Sequence, residues 1–306
     1  MKNPIRSFLL CAAAISVFSL PSPAATISDG DWPYFGNDRG ETKFSPLAQI
    51  TPANVKALKQ VWVYDTQDPS VNPRGWEVSP IVVNDIMYFP TARGKITALN
   101  AETGQEIWTF DEKSAGIKGV GSRWGVSYWL GEGKRPARIV VATNDGHLFQ
   151  LDAGTGALYK KFGNNGFVEM GTGVMDRFGG DYRPGQTPAI YKNTAIITAL
   201  SGENGRYGVP GDPRAFDLVT GKELWRFHTV PRPGEPNFGD WGLNGWQDRR
   251  GPGSWVPITV DQATGTIFIA LGQPTDQDYG ISRPGNNTYS SSLLALDAIT
   301  GKLKWF

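Results

Sequence analysis

Ala295-Leu296-Asp297-Ala298-Ile299-Thr300-Gly301-Lys302-Leu303-Lys304-Trp305 is the last of four copies of one pattern in the chain, and that repetition sets the architecture. It is preceded by Ala98-Leu99-Asn100-Ala101-Glu102-Thr103-Gly104-Gln105-Glu106-Ile107-Trp108, by Gln150-Leu151-Asp152-Ala153-Gly154-Thr155-Gly156, and by Ala215-Phe216-Asp217-Leu218-Val219-Thr220-Gly221-Lys222-Glu223-Leu224-Trp225. Each copy has an apolar pair, then Asp or Asn opening a turn, a glycine to supply positive φ, and an alternating run. That is the signature of a β-hairpin, and three of the copies end on tryptophan.

The turn glycines Gly104, Gly156, Gly221 and Gly301 lie 52, 65 and 80 residues apart. These periods exceed the ~40–50 residues of an ordinary four-stranded propeller blade, so long loops must carry the excess. Apolar stretches precede the hairpins at 79–89, 138–143, 187–200 and 258–271, the last split by Thr264-Gly265. Two strands there and two in the hairpin give four per unit, the propeller count. Trp108, Trp225 and Trp305 read as packing wedges between blades, with Tyr159 as a weaker substitute in the second. The expected fold is all-β, about four blades of a β-propeller, left open because Phe306 directly follows the fourth hairpin.

Composition agrees. The 306 residues include 38 Gly, 22 Pro and 11 Trp, as expected of a turn-rich, aromatic-wedged protein. Thirty basic against 29 acidic residues leave a net charge of +1, which offers no electrostatic footprint for nucleic acid or an anionic membrane. Residues 1–25 read as a secretory signal: Lys2 and Arg6, an apolar run from Phe8 to Leu20, then Ser22-Pro23-Ala24-Ala25. The run is shorter than the ~20 residues that span a bilayer, so a periplasmic protein without a transmembrane segment is expected. Its one cysteine, Cys11, lies in that signal, and only His147 and His228 are present besides, so zinc sites of nitrogen and sulfur ligands cannot be built. A metal would need oxygen ligands, which suits calcium.

The repeated Asp-Ala-x-Thr-Gly-Lys-x-x-Trp hairpin resembles the tryptophan-docking motif of the eight-bladed quinoprotein alcohol dehydrogenases. The run Asp31-Trp32-Pro33-Tyr34-Phe35-Gly36-Asn37-Asp38-Arg39-Gly40, continuing through Phe44-Ser45-Pro46-Leu47 to Ile50, resembles that family's mature start. The resemblance covers residues 31–306 and makes 26–306 the N-terminal half of the family's propeller domain. Paired cysteines are missing, with Ile117 and Lys118 in the region where the methanol type carries a vicinal disulfide, so the chain is more similar to the glucose, quinate or polyol type.

The resemblance implies pyrroloquinoline quinone (PQQ) and Ca2+ as cofactors, an alcohol, sugar or polyol substrate, and a quinone or cytochrome as electron acceptor. A planar tricarboxylate needs cations or hydroxyls at its edges and flat surfaces on its faces. Carried over position by position, the cofactor contacts are Glu77, Arg123, Thr187, Ser201, Gly202 and Trp255. Arg123 would bond the quinone oxygens without losing its own proton, and Trp255 would form the floor. Glu203 matches the calcium carboxylate, with Asn204 as the fallback, and Gln273 stands where the family has asparagine. The family's catalytic aspartate lies beyond the fourth hairpin, so no catalytic residue is expected within the chain, and the chain alone is expected to be inactive. The competing reading is a non-catalytic periplasmic scaffold of the same repeats, which needs none of Arg123, Glu203 and Trp255. A Rossmann dehydrogenase is not indicated, since no Gly-x-Gly-x-x-Gly opens a helix after a strand and the chain shows no regular strand-helix alternation.

Overall fold

The computed structural model describes residues 26–68, 76–118, 124–174, 182–202, 205–242 and 245–306. Residues 1–25, where the secretory signal and Cys11 are expected, lie outside them.

Among the described residues sixteen strands form four antiparallel four-stranded sheets, each built in chain order. The first blade has β1 (Ile81–Val83), β2 (Ile86–Pro90), β3 (Lys95–Asn100) and β4 (Glu106–Asp111). The second has β5 (Ser127–Trp129), β6 (Arg138–Ala142), β7 (His147–Asp152) and β8 (Phe167–Glu169). The third has β9 (Ala189–Tyr191), β10 (Thr194–Ile197), β11 (Arg214–Asp217) and β12 (Glu223–Arg226). The fourth has β13 (Thr259–Asp261), β14 (Thr266–Ala270), β15 (Leu293–Asp297) and β16 (Leu303–Trp305). The stretches at 79–89 and 187–200 divide as the one at 258–271 does: Asn84 (φ 52°) and Asp85 (φ 61°) turn β1 into β2, and Lys192 (φ 53°) lies between β9 and β10.

The repeated hairpin owes its composition to one local device. In the fourth copy the Asp297 carboxylate accepts from the Thr300 backbone N–H at 2.8 Å and from its hydroxyl at 2.9 Å, while Gly301, at φ +69°, donates to the Asp297 carbonyl at 2.8 Å. Asp152 and Asp217 hold Thr155 and Thr220 in the same way, and Asn100 holds Thr103 through its amide oxygen. The side chain fixes the turn from within and glycine provides the left-handed conformation that closes it.

The second and third blades are apolar on both faces, since successive strand residues point to opposite neighbours. Ile139 and Val141 of β6 join a core with Ile81, Tyr88 and Ile96 of the first blade, whereas Val140 and Ala142 join Ile190, Ala195 and Ile197 of the third. Ile196 and Ala215 then pack on Val260, Ile267 and Leu296 of the fourth. Three cores separate four blades.

Tryptophan docking links the same blades. The Trp108 indole donates to the Ala153 carbonyl at 3.0 Å and lies over Gly156, while Trp225 donates to the Ala298 carbonyl at 3.1 Å and lies over Gly301. A further member is Trp62, from the segment 58–64, which donates to the Ala101 carbonyl at 3.3 Å and covers Gly104. Trp108 is buried and Trp225 half-buried, but Trp305 is 48% exposed and meets no such hairpin among the described residues, so it is not a core residue here. Tyr159 does not substitute for the second tryptophan either. Its segment makes tight turns and leaves β8 displaced to 167–169, so that Tyr159 stacks under Arg138 (3.5 Å from guanidinium carbon to ring centre) and Val168 with Gly163 covers Gly221.

Candidate functional site

In an antiparallel blade the innermost strand begins at the end where its neighbour finishes. Ile81 at the start of β1 faces Tyr88 of β2 while Val83 at its end faces Ile86, the first residue of β2, and Thr259 at the start of β13 faces Phe268 while Asp261 at its end faces Thr266, the first residue of β14. Glu77, Thr187 and Trp255 precede innermost strands, whereas Ser201 with Gly202 and Gln273 follow second strands. All six therefore gather at one end of the blades.

Hydrogen bonds tie this end into a continuous curb. The Ser79 N–H donates to the Trp124 carbonyl at 3.0 Å, the Trp124 indole donates to the Gly185 carbonyl at 2.6 Å, and the Gly272 N–H donates to the Gly253 carbonyl at 2.9 Å. Glycines permit the close approaches. A β-carbon on Gly185 would collide with the Ser254 carbonyl, and one on Gly253 would fall 2.7 Å from the Ser201 nitrogen and 2.9 Å from its hydroxyl oxygen.

Within this frame Thr187 is buried, with its methyl group facing Gly125, and Ser201 is buried against Gly253. Trp255 is 49% exposed; its ring lies on Gly272, where a β-carbon would come within 2.5 Å. The indole is thus supported by backbone and half open. Glu77 and Gln273 are exposed on the rim. Gly202, at φ +76°, has its α-carbon against the Arg250 guanidinium, which also packs on Gly205 and Gly208 and donates from Nε to the Gly205 carbonyl at 2.9 Å. Burial lowers the pKa of Arg250 and the nearby Asp276 opposes that shift; Asp276 also accepts from the Gly205 N–H at 3.1 Å. Arg123, Glu203 and Asn204 lie outside the described residues.

Sequence reading missed the curb residues Trp124, Gly185 and Gly253, and it missed Arg250. The signal for the glycines was their position one to three residues from a named candidate; Arg250 gave none, since its glycine partners are more than forty residues away. Ile117, by contrast, is buried in the core between the first two blades and Lys118 is exposed.

The β-propeller domain family described as glucose/ethanol/alcohol dehydrogenase, PQQ, matches residues 32–306. The chain belongs to the PQQ β-propeller family. Among relatives of this PQQ propeller, the quinoprotein glucose dehydrogenase of Escherichia coli (strain K12) is 33% identical over 310 residues, covering 95% of this chain and 38% of that protein. The quinohemoprotein alcohol dehydrogenase of Comamonas testosteroni is 32% identical over 331 residues, covering 96% and 43%. Its crystal structure superposes with a TM-score of 0.72 over 90% of this chain and 40% of that one. The chain thus spans about two fifths of the length of these relatives. As a PQQ propeller it carries four blades of the expected all-β architecture, and no helix among its described residues is long and apolar enough to cross a membrane.

Proposed function

We propose that this chain holds PQQ at the curbed end of its blades and serves the oxidation of an alcohol, sugar or polyol CH–OH group in the periplasm, with electrons passed on to a quinone or cytochrome. The observation that carries the reading is Trp255. Its indole rests on Gly272, where no β-carbon fits, and presents a half-exposed flat surface at the end of the blades that also carries buried Thr187 and Ser201. That donor set suits a planar, polyanionic ring: an aromatic floor, hydroxyls at the edge and backbone brought close by glycine.

When bound, the quinone would supply the electrophilic carbonyl that accepts the substrate's reducing equivalents. The residues of this chain bind and orient. Trp255 would set the ring plane, Thr187, Ser201 and Glu77 would take polar edge positions with Gly202 near them, and Arg123 would offset negative charge on the oxygens. For calcium, the described candidates supply only the exposed amide oxygen of Gln273, and no group of three His, Cys, Asp or Glu among the described residues could hold a metal. Calcium, when bound, would be held by Glu203 and Gln273. None of these residues is assigned the removal of the hydroxyl proton, a step for which base catalysis is worth about 10²- to 10⁴-fold in rate.

Titration of the purified chain with PQQ, followed by tryptophan fluorescence alongside a dye-linked alcohol oxidation assay, tests this. Saturable quenching that Arg123→Ala and Trp255→Ala each weaken, without turnover, is the expected result. A folded chain that fails to bind PQQ refutes the reading and leaves the scaffold alternative.

A further inference from the structure

The segment 32–43 is held against the axial side of the blades by contacts to both the first and the fourth. Trp32 exchanges two 2.8 Å backbone hydrogen bonds with Val82, the Phe35 carbonyl accepts from the Ser79 hydroxyl at 3.0 Å, and the Arg39 carbonyl accepts from the Val260 N–H at 2.8 Å. The Phe35 ring stands edge-on to Trp124, a curb residue. Between this segment and the starts of β5, β9 and β13 lies a cavity of about 30 Å³, lined among others by Glu41, Ser127, Thr187 and Pro257. That is room for about two water molecules.

Glu41 is built into this cavity at a cost. Its φ is +59°, a region unfavourable to a side chain of this kind by about 1–2 kcal/mol. Its Oε2 is buried with no hydrogen-bond partner, and its α-carbon would lie 2.7 Å from a β-carbon at position 36, so that only Gly36 fits beneath it. Charged or titratable neighbours are Tyr34, Asp38, Arg39 and Lys43 on its own segment; β5, β9 and β13 contribute no such side chain to the cavity lining. Burial, with a smaller contribution from Asp38 and opposition from Lys43, raises its pKa to about 7. A residue that combines backbone strain with an unsatisfied buried oxygen points to a use that offsets both.

We propose that Glu41 is the proton-accepting group of this axial cavity, taking up a proton when the adjoining end of the blades, at Thr187, is filled by the anionic quinone cofactor. This rests on the cofactor reading above. The physical cause is like-charge repulsion across a poorly solvated gap: a polycarboxylate beside Thr187 disfavours a second anion behind it. The proton comes from solvent and forms an O–H bond on the Glu41 carboxylate, and no electrons move. By reciprocity, proton uptake on binding requires cofactor affinity to fall as Glu41 ionises.

Calorimetric titration of the full chain with PQQ, in buffers of different ionisation enthalpy, reads this without any turnover. A one-unit rise in the proton affinity of Glu41 corresponds to uptake of about half a proton per PQQ near pH 7.5, and to an affinity that falls about tenfold between about pH 6 and about pH 9. Both should vanish in Glu41→Gln while PQQ still binds. If that variant does not fold, Glu41→Gly, which suits the positive φ, replaces it. Binding of PQQ with the same proton uptake in wild type and variant, or with none in wild type, overturns this inference and leaves the cofactor site standing. A folded wild-type chain that binds no PQQ overturns both.

Discussion

Replacing Gly156 by alanine should expose what holds neighbouring blades together. Gly156 sits at φ +71°, and a β-carbon there would fall 2.6 Å from two ring atoms of Trp108, which is 8% exposed and pinned by its bond to the Ala153 carbonyl. The left-handed backbone costs an alanine about 1–2 kcal/mol, and displacing a buried indole adds about 1–3 kcal/mol of overpacking. The stiffer unfolded chain returns about 0.4–1 kcal/mol, leaving a net loss of about 2–4 kcal/mol. Trp108→Leu should itself cost about 2–3 kcal/mol in cavity and hydrogen bond. In the double variant the clash disappears and only the backbone strain stays, so the two changes should couple by about 1–3 kcal/mol. Urea unfolding of the four proteins of the cycle measures this. Gly221→Ala is the control, since Val168 and Gly163 stand where the indole would be. Finding that Gly156→Ala costs the same with and without Trp108 would refute the docking argument.

Three further outcomes follow from named groups. Glu41, raised from 4.5 to about 7, gives the fold stability that is fully present below about pH 4.5 and lost as pH rises through about 7; Glu41→Gly should therefore be more stable than wild type by about 2 kcal/mol near pH 8 after allowance for solvent screening, and by about 1 kcal/mol or less near pH 4.5. Thermal unfolding at the two pH values decides it, and an equal gain at both would contradict the assignment. Glu223 behaves oppositely: although burial acts to raise it, bonds from Arg214 and Arg226 hold it at about 2, so its contribution is present above about pH 4.5 and lost as pH falls towards 2. Glu223→Gln should flatten acid unfolding in that window, by about 1–2 kcal/mol once its partial exposure is discounted. Gln273→Asn, which restores the shorter amide, should raise any calcium affinity of the chain about tenfold in a calcium titration; an unchanged affinity would remove Gln273 from the metal site.

The hairpins were legible because everything that makes them is local. Asp297, Thr300 and Gly301 close their turn within five residues, and the tryptophan follows four residues after the glycine. The blade-to-blade partners were not, since docking joins residues far apart: Trp62 reaches Ala101, 39 residues on, and no turn signal marks its segment. Tyr159 misled for a related reason, because aromatic spacing says nothing about the turns at 158–166 that pull the chain off the strand. Trp305 shows the same limit from the other side, since its burial depends on a neighbour rather than on its own hairpin. For the candidate site, blade topology explains why Glu77, Thr187, Ser201, Trp255 and Gln273 share one end, although their chemistry came only from resemblance. Arg250 and Glu41 owe their interest to a glycine cradle and to a strained φ, neither of which a residue name announces.

A crystal structure of the chain grown with PQQ tests the cofactor site itself. The quinone should lie flat on the open face of the Trp255 indole, opposite Gly272, with Thr187 and Ser201 at its edge. Density for PQQ elsewhere on the blades, or a Trp255 face left bare at saturating cofactor, would contradict it.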